Sequence, residues 1–84
     1  MSIRKVSIRQ VKAARALLGW SQDELAERSG VSIPTVKRLE AAEGELGGRA
    51  ETAERIVRTL EAGGVLFLPE NGEGPGVRLR KDRR

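Results

Sequence analysis

Apolar residues recur at helical spacing in several segments of this chain. In the first segment the repeat consists of Val11, Ala14, Leu17 and Leu18. A spacing of three or four residues is typical of a helix with one buried face. Ser7 opens an S-x-x-Q pattern that marks a helix start, and Gly19 interrupts the repeat. The pattern therefore predicts a first helix from about Ser7 to Leu18.

A shorter helix is predicted directly after this glycine. Ser21 and Glu24 have the spacing of a capping box, in which each side chain bonds the other residue's backbone N–H. Gly30 can end the segment in a left-handed conformation. The second helix is expected at about Gln22–Ser29.

A third helix follows after a connection of very few residues. Ser32 is a good N-cap, and a proline is tolerated in the first helical turn, so we expect a helix at about Ile33–Ala41. Such a short connection forces a sharp crossing, which is typical of a helix-turn-helix. The small side chain of Ala26 permits the close crossing, and Val31 is expected to plug the core beneath the turn.

The chain changes character after a glycine-rich stretch at 44–48. A fourth helical repeat runs through Ala53, Ile56, Val57 and Leu60 and ends at the Gly63-Gly64 pair. Val65–Leu68 is a short apolar run and Val77–Lys81 alternates apolar with basic residues, which predicts two short strands. The predicted fold is mainly α: a compact, lambda-repressor-like helical bundle at 1–63, then a two-strand β arm with a basic tail at 64–84.

Composition narrows the chemistry. The chain has 84 residues, no cysteine and no histidine, which excludes the usual zinc sites, cysteine nucleophiles and Ser-His-Asp arrangements. We therefore expect no metal, no cofactor and no catalysis, since carboxylate pairs such as Glu24 with Glu27, or Glu51 with Glu54, are common on solvated helix surfaces. The net charge of +4 suits a polyanionic partner. No apolar run approaches a membrane span, and a cytoplasmic location is expected.

The segment around the predicted turn resembles a known family. The matching residues are Gln22-Asp23-Glu24-Leu25-Ala26-Glu27-Arg28-Ser29-Gly30-Val31-Ser32, followed by Thr35-Val36 and Arg38-Leu39-Glu40. They are similar to the xenobiotic response element (XRE) family of lambda-repressor-like regulators, and the resemblance extends over about Ile8 to Leu60. It implies operator binding, usually as a homodimer.

Candidate DNA contacts follow from this resemblance and from the faces of the third helix. A set of residues faces away from the apolar Val36 and Leu39: Ser32, Ile33, Pro34, Lys37 and Arg38. Arg38 is the predicted base reader, because its guanidinium can bond O6 and N7 of guanine together, whereas Ile33 and Pro34 can contact a thymine methyl. Thr35 is expected to support the turn or touch a phosphate.

The resemblance implies further positions near the DNA backbone. Gln22, at the start of the second helix, matches a phosphate contact, and the Gly44 backbone and Arg49 follow the third helix where the family approaches the backbone. Lys37 is expected to reach a base or a phosphate; for Lys37 and Arg49 the alternative of a solvated surface cation stays open.

Two predictions concern structure more than contact with DNA. The resemblance implies that Arg15 and Glu40 form a buried or half-buried ion pair that orients the third helix. Trp20, between the first two helices, is predicted to fill the core rather than to stack on a base.

The β arm is the predicted dimer contact. Its apolar residues are Val65, Leu66, Phe67, Leu68, Val77 and Leu79. Pairing of two arms across a two-fold axis would cover a strand edge and one apolar face. The alternative is a hairpin within one chain, with the dimer surface elsewhere.

Three functions are consistent with the sequence. The first is a sequence-specific regulator of transcription, most simply a repressor, that binds double-stranded DNA. The second is the antitoxin of a toxin-antitoxin pair, which would have a protein partner. The third is a protein-protein adaptor, against which Lys37 and Arg38 argue.

Overall fold

Four helices and one hairpin form the described part of the chain. The computed structural model describes residues 5–81, so that residues 82–84 of the predicted basic tail lie outside it. The elements are α1 (Ile8–Leu18), α2 (Gln22–Ser29), α3 (Ile33–Ala41), α4 (Ala50–Gly63), β1 (Val65–Leu68) and β2 (Gly76–Leu79). The predicted fold class is confirmed. Between residues 5 and 81 no helix is long and apolar enough to cross a membrane.

A serine is the N-cap of each of the first three helices. The Ser7 side chain accepts a bond from the Gln10 backbone N–H, and Gln10 Oε1 accepts one from the Ser7 backbone N–H, which completes a capping box. Ser21 accepts from the Glu24 backbone in the same way. The Glu24 carboxylate, however, bonds Arg28 one turn later at 2.9 Å, so only half of the predicted second capping box is made.

The core lies where the helices meet. Its residues include Val11, Ala14, Leu25, Val36, Leu39, Ile56, Val57, Leu60 and Val65. Leu17, which the sequence grouped with the α1 repeat, is 42% exposed. Leu17 is exposed because of its position around the helix axis. A residue three positions after Ala14 is displaced by roughly 60° around the helix, toward the edge of the buried face.

The segment before α1 pairs with the loop between α3 and α4. Ser7 and Glu45 form an antiparallel bridge, and the Leu46 N–H donates to the Val6 carbonyl at 2.8 Å. The Ile8 N–H donates to the Gly44 carbonyl at 2.8 Å. This pairing buries Val6 and fixes the glycine-rich loop that precedes α4.

β1 and β2 form an antiparallel hairpin within the chain. The register pairs Val65 with Leu79 and Phe67 with Val77, and this face packs on the bundle. Gln10 holds the loop end of the hairpin, because its Nε2 donates to the carbonyls of Leu68 (3.2 Å) and Gly76 (2.9 Å). The hairpin therefore shares the core of the helices.

Candidate nucleic-acid interface

The turn between α2 and α3 has the close geometry that its small residues predicted. Gly30 has a φ of 75°, in the left-handed region that favours glycine. The N–H groups of Gly30 and Val31 both donate to the Ala26 carbonyl, at 3.0 and 3.2 Å. Ala26 and Val31 are both buried. This turn fixes the angle at which α3 crosses α2.

The outer face of α3 begins at its N-terminus. The residues predicted to face DNA, Ser32, Ile33, Pro34, Lys37 and Arg38, are all exposed. On the opposite face Val36, Leu39 and Glu40 are buried. Ser32 and Thr35 bond each other through their hydroxyl groups at 2.8 Å, so Thr35 supports the helix start.

A groove runs beside α3 and ends at the start of α4. It has a volume of about 480 Å³, and its lining consists of Thr35, Arg38, Leu39, Gly48, Arg49 and Thr52. Two cations that the sequence placed near DNA, Arg38 and Arg49, thus lie on one concave surface. An exposed groove with two guanidinium groups is suited to a nucleic-acid backbone.

A second concavity adjoins the groove at the helix-turn-helix turn. Its volume is about 230 Å³, and it shares Thr35, Arg49 and Thr52 with the groove. It adds Arg55, whose guanidinium lies 3.3 Å from the position that a Cβ on Gly30 would occupy. Neither Thr52 nor Arg55 could be recognised from the sequence alone as part of this surface. Arg55 also forms an exposed i,i+4 ion pair with Glu51, at 3.8 Å.

Gly44, another of the expected DNA-backbone contacts, lies in the loop between α3 and α4. Its carbonyl accepts the bond from Ile8, and Gly44 lines neither concavity. Its position against the N-terminal segment gives it a structural role in holding the loop.

A polar network joins α1, α2 and α3 below this surface. Arg15 donates to both carboxylate oxygens of Glu40, from Nε to Oε2 at 2.8 Å and from Nη2 to Oε1 at 2.7 Å. Its Nη1 donates to the Trp20 carbonyl at 3.0 Å. Gln22 Nε2 donates to Glu40 Oε1 at 2.9 Å. Glu40 is only 3% exposed, so these bonds replace nearly all of its hydration.

The network keeps Glu40 ionised. Burial by itself raises the pKa of a carboxyl group, but the bonds from Arg15 and Gln22 outweigh burial, and the pKa of Glu40 lies below its ordinary value. The bond to Glu40 in turn raises the pKa of Arg15 against the opposing effect of burial. The carboxylate and the guanidinium are therefore both charged near neutral pH.

Trp20 is half-buried and packs against the core. A Cβ on Gly63, at the end of α4, would lie 2.8 Å from its ring. The Arg28 guanidinium lies over the ring at 4.4 Å from its centre. Packing against the core and the nearby cation give Trp20 a structural role, as its position in the sequence predicted.

Comparison with known families agrees with this geometry. A family model described as helix-turn-helix matches residues 11–61, which include the four helices from the first turn of α1 to the last turn of α4. The comparison with curated proteins gave no match. Because the match extends over more than half of the chain and includes the turn, the outer face of α3 and the groove, the protein belongs to the XRE, lambda-repressor-like family of DNA-binding helix-turn-helix regulators.

Proposed function

We propose that the protein is a sequence-specific repressor of transcription that binds double-stranded DNA as a homodimer and places α3 in the major groove. The observation that carries the proposal is the continuity of the exposed α3 face with the groove that contains Arg38 and Arg49. A recognition helix reads bases with such a face while neighbouring cations neutralise phosphates. The protein would act in the cytoplasm, at the nucleoid, without a cofactor.

Several side chains of the surface have a proposed role. Arg38 reads a guanine, and the exposed Ile33 and Pro34 contact thymine methyl groups. Lys37 lies on the same exposed face. Gln22, at the start of α2, and Arg49, at the start of α4, bond backbone phosphates and set the depth of α3 in the groove.

Duplex binding should be strongly salt-dependent, and Arg38 should set the base preference. We expect Arg38→Ala to weaken binding to the preferred site by about 1–3 kcal/mol and to abolish discrimination at one base pair. Arg49→Ala should instead weaken all sequences alike and lower the salt slope by about one unit. Selection from a random duplex pool, followed by gel-shift titrations at several salt concentrations, measures both effects.

Arg58 provides the matched control for this series. It lies on α4, is 76% exposed and bonds Glu54 instead of lining either concavity. Arg58→Ala should leave the affinity and the salt slope nearly unchanged. Absence of duplex binding at low salt by the folded, unsubstituted chain would refute the proposal and favour a protein-protein adaptor. Retained discrimination in Arg38→Ala would refute the assignment of the base reader.

The hairpin supports a dimer through its outer face and its free edge. Val65 is fully buried in its own chain, and Phe67, Val77 and Leu79 pack on the same core. Within the hairpin, the surface proposed for the dimer contact is therefore the other face of β1, where Leu66 is 37% exposed. In the two-stranded sheet of the described residues, β1 has a strand on one edge only. Residues 64–84 are proposed as the dimerisation element that follows the DNA-binding bundle at 1–63.

Leu66→Lys should convert the dimer into a folded monomer. A lysine at this position places two like charges across the two-fold axis. Within its own chain it lies opposite Arg78, and at an exposed site this like-charge pair costs less than about 1 kcal/mol, so the protein stays folded. Binding to a site with two half-sites should fall toward the affinity for one, because the second contact is no longer intramolecular. Sedimentation, thermal melting and gel shift report the three properties. Leu17→Lys, at a similarly exposed leucine on α1, is the control, and a Leu66→Lys protein that stays dimeric would contradict the proposed contact.

A further inference from the structure

The polar network below α3 reaches the first residue of α2. Gln22 is the N1 residue of this helix, directly after the Ser21 cap, and its side chain is half-buried. Its Nε2 donates one hydrogen bond to Glu40 Oε1, the oxygen that also accepts from Arg15 Nη2. One side-chain bond therefore connects the start of α2 to the buried end of α3.

This bond fixes the direction of the remaining amide hydrogen. A primary amide is planar and carries two N–H donors on one nitrogen. When Glu40 holds one of them, the other points in a set direction, from a residue whose backbone N–H also lacks a partner within its helix. An oriented amide N–H and a free backbone N–H on the first residue of a helix are donors suited to a phosphodiester oxygen.

The charges around the network permit an anion at this position. An ionised Glu40 alone would repel a phosphate and make Gln22 a poor contact. Arg15 pairs with that carboxylate at two points, so the buried pair is neutral overall. The network can thus orient the amide without adding net negative charge to the surface.

We propose that Glu40 is a positioning residue for DNA binding, which holds the Gln22 amide so that its second N–H donates to a backbone phosphate. This inference rests on the proposed function. It assigns to Glu40 an effect on DNA affinity that is separate from the stability of its pair with Arg15. Gln22 contacts the phosphate, and Glu40 acts through Gln22.

A double-mutant cycle on DNA affinity tests the inference. Glu40→Asp keeps the charge but withdraws the acceptor by one methylene group. It should weaken duplex binding about three- to tenfold when Gln22 is present and have little further effect in the Gln22→Ala background. Gel shifts are performed well below the melting temperature of each variant, so that all proteins are folded. Arg15→Lys is the control that disturbs the ion pair and retains the carboxylate that bonds Gln22.

A second measurement does not depend on DNA. In the free protein, NMR should show a Gln22 side-chain amide with one hydrogen protected from exchange, and Glu40→Asp should remove that protection. Equal losses of affinity from Glu40→Asp in both Gln22 backgrounds would overturn the inference and show that Glu40 acts by displacing α3. An unprotected Gln22 amide in the unsubstituted chain would overturn it as well. Absence of any duplex binding, with the amide protected, would instead refute the proposed function.

Discussion

Replacement of Arg15 by methionine is expected to remove about 3–5 kcal/mol of unfolding free energy, a large part of the stability of so small a protein. The cost arises because Glu40, 3% exposed, would be left as a buried carboxylate with its main partner gone. Glu40→Leu should have a similar effect through the unpaired Arg15. The double variant Arg15→Met/Glu40→Leu should recover most of the loss, because neither charge then remains buried.

The recovery is expected to be incomplete. Arg15 also bonds the Trp20 carbonyl, and Glu40 also accepts from Gln22. Each of these bonds contributes about 1 kcal/mol, and the double variant lacks both. A residual destabilisation of roughly 1–2 kcal/mol should therefore separate the double variant from the unsubstituted chain.

Thermal and denaturant melts at pH 7 measure this cycle. The pH matters because the pKa of Glu40 is lowered in the fold, so its contribution to stability is present near neutral pH. The contribution is lost as the pH falls below the ordinary value of 4.5 and through the lowered one. Glu40→Leu should consequently have a lower free energy of unfolding than the unsubstituted chain at pH 7, and the difference should be much smaller in acid.

The exposed pair of Arg58 with Glu54 is the control for burial. Both side chains are well exposed, at 76% and 46%, and Arg58→Met should cost less than about 1 kcal/mol. Small and additive effects of Arg15→Met and Glu40→Leu would contradict the prediction. They would mean that solvent reaches the pair and compensates the loss of either partner.

The bounds of the central helices could be predicted because each end has its own local signal. Ser21 and Ser32 satisfy backbone N–H groups at the starts of α2 and α3. Gly30 adopts the left-handed conformation that ends α2. Such signals act within four residues of the chain and require no knowledge of the tertiary fold. For this reason the predicted spans of α2 and α3 agree with the structure.

Features that depend on distant parts of the chain were not predictable in the same way. Val6 is buried because residues 6–8 pair with the loop near Glu45, and no periodic pattern marks either segment. Arg55 enters the second concavity through the packing of α4 on the turn, whereas its local spacing only indicates a surface ion pair. The bond from Gln22 to Glu40 joins residues 18 positions apart. The sequence could thus identify Arg38 and Arg49 as candidates, while the groove between them required the tertiary fold.

Removal of the hairpin is expected to have the largest effect of all: a chain that ends at Gly64 should not fold cooperatively. Val65 has no exposed surface, and Phe67, Val77 and Leu79 pack against the same core. Burial of each such side chain contributes about 1–3 kcal/mol. A domain of this size has a net stability of only about 4–12 kcal/mol. The loss of four such side chains would therefore remove most of that stability.

The loss of hydrogen-bond acceptors adds to this effect. Gln10, 5% exposed, donates to the carbonyls of Leu68 and Gly76. Without the hairpin its amide either stays buried and unbonded, at a cost of about 1–3 kcal/mol, or turns out and breaks the capping box with Ser7. The truncation therefore damages α1 as well as the core.

Circular dichroism and denaturant titration of the truncated chain test this prediction, with full-length Leu66→Lys as the matched control. The control changes only the outer face of β1 and should retain a two-state melt close to that of the unsubstituted chain. A truncated protein that melts cooperatively, within about 1 kcal/mol of the full chain, would contradict the prediction. That result would mean that the helices form an independent domain ending near Gly63 and that the hairpin is an appendage. Loss of the cooperative transition would mean that any dimer contact on the hairpin is built on a part of the DNA-binding domain itself, so that pairing of two hairpins would directly set the spacing of two α3 helices.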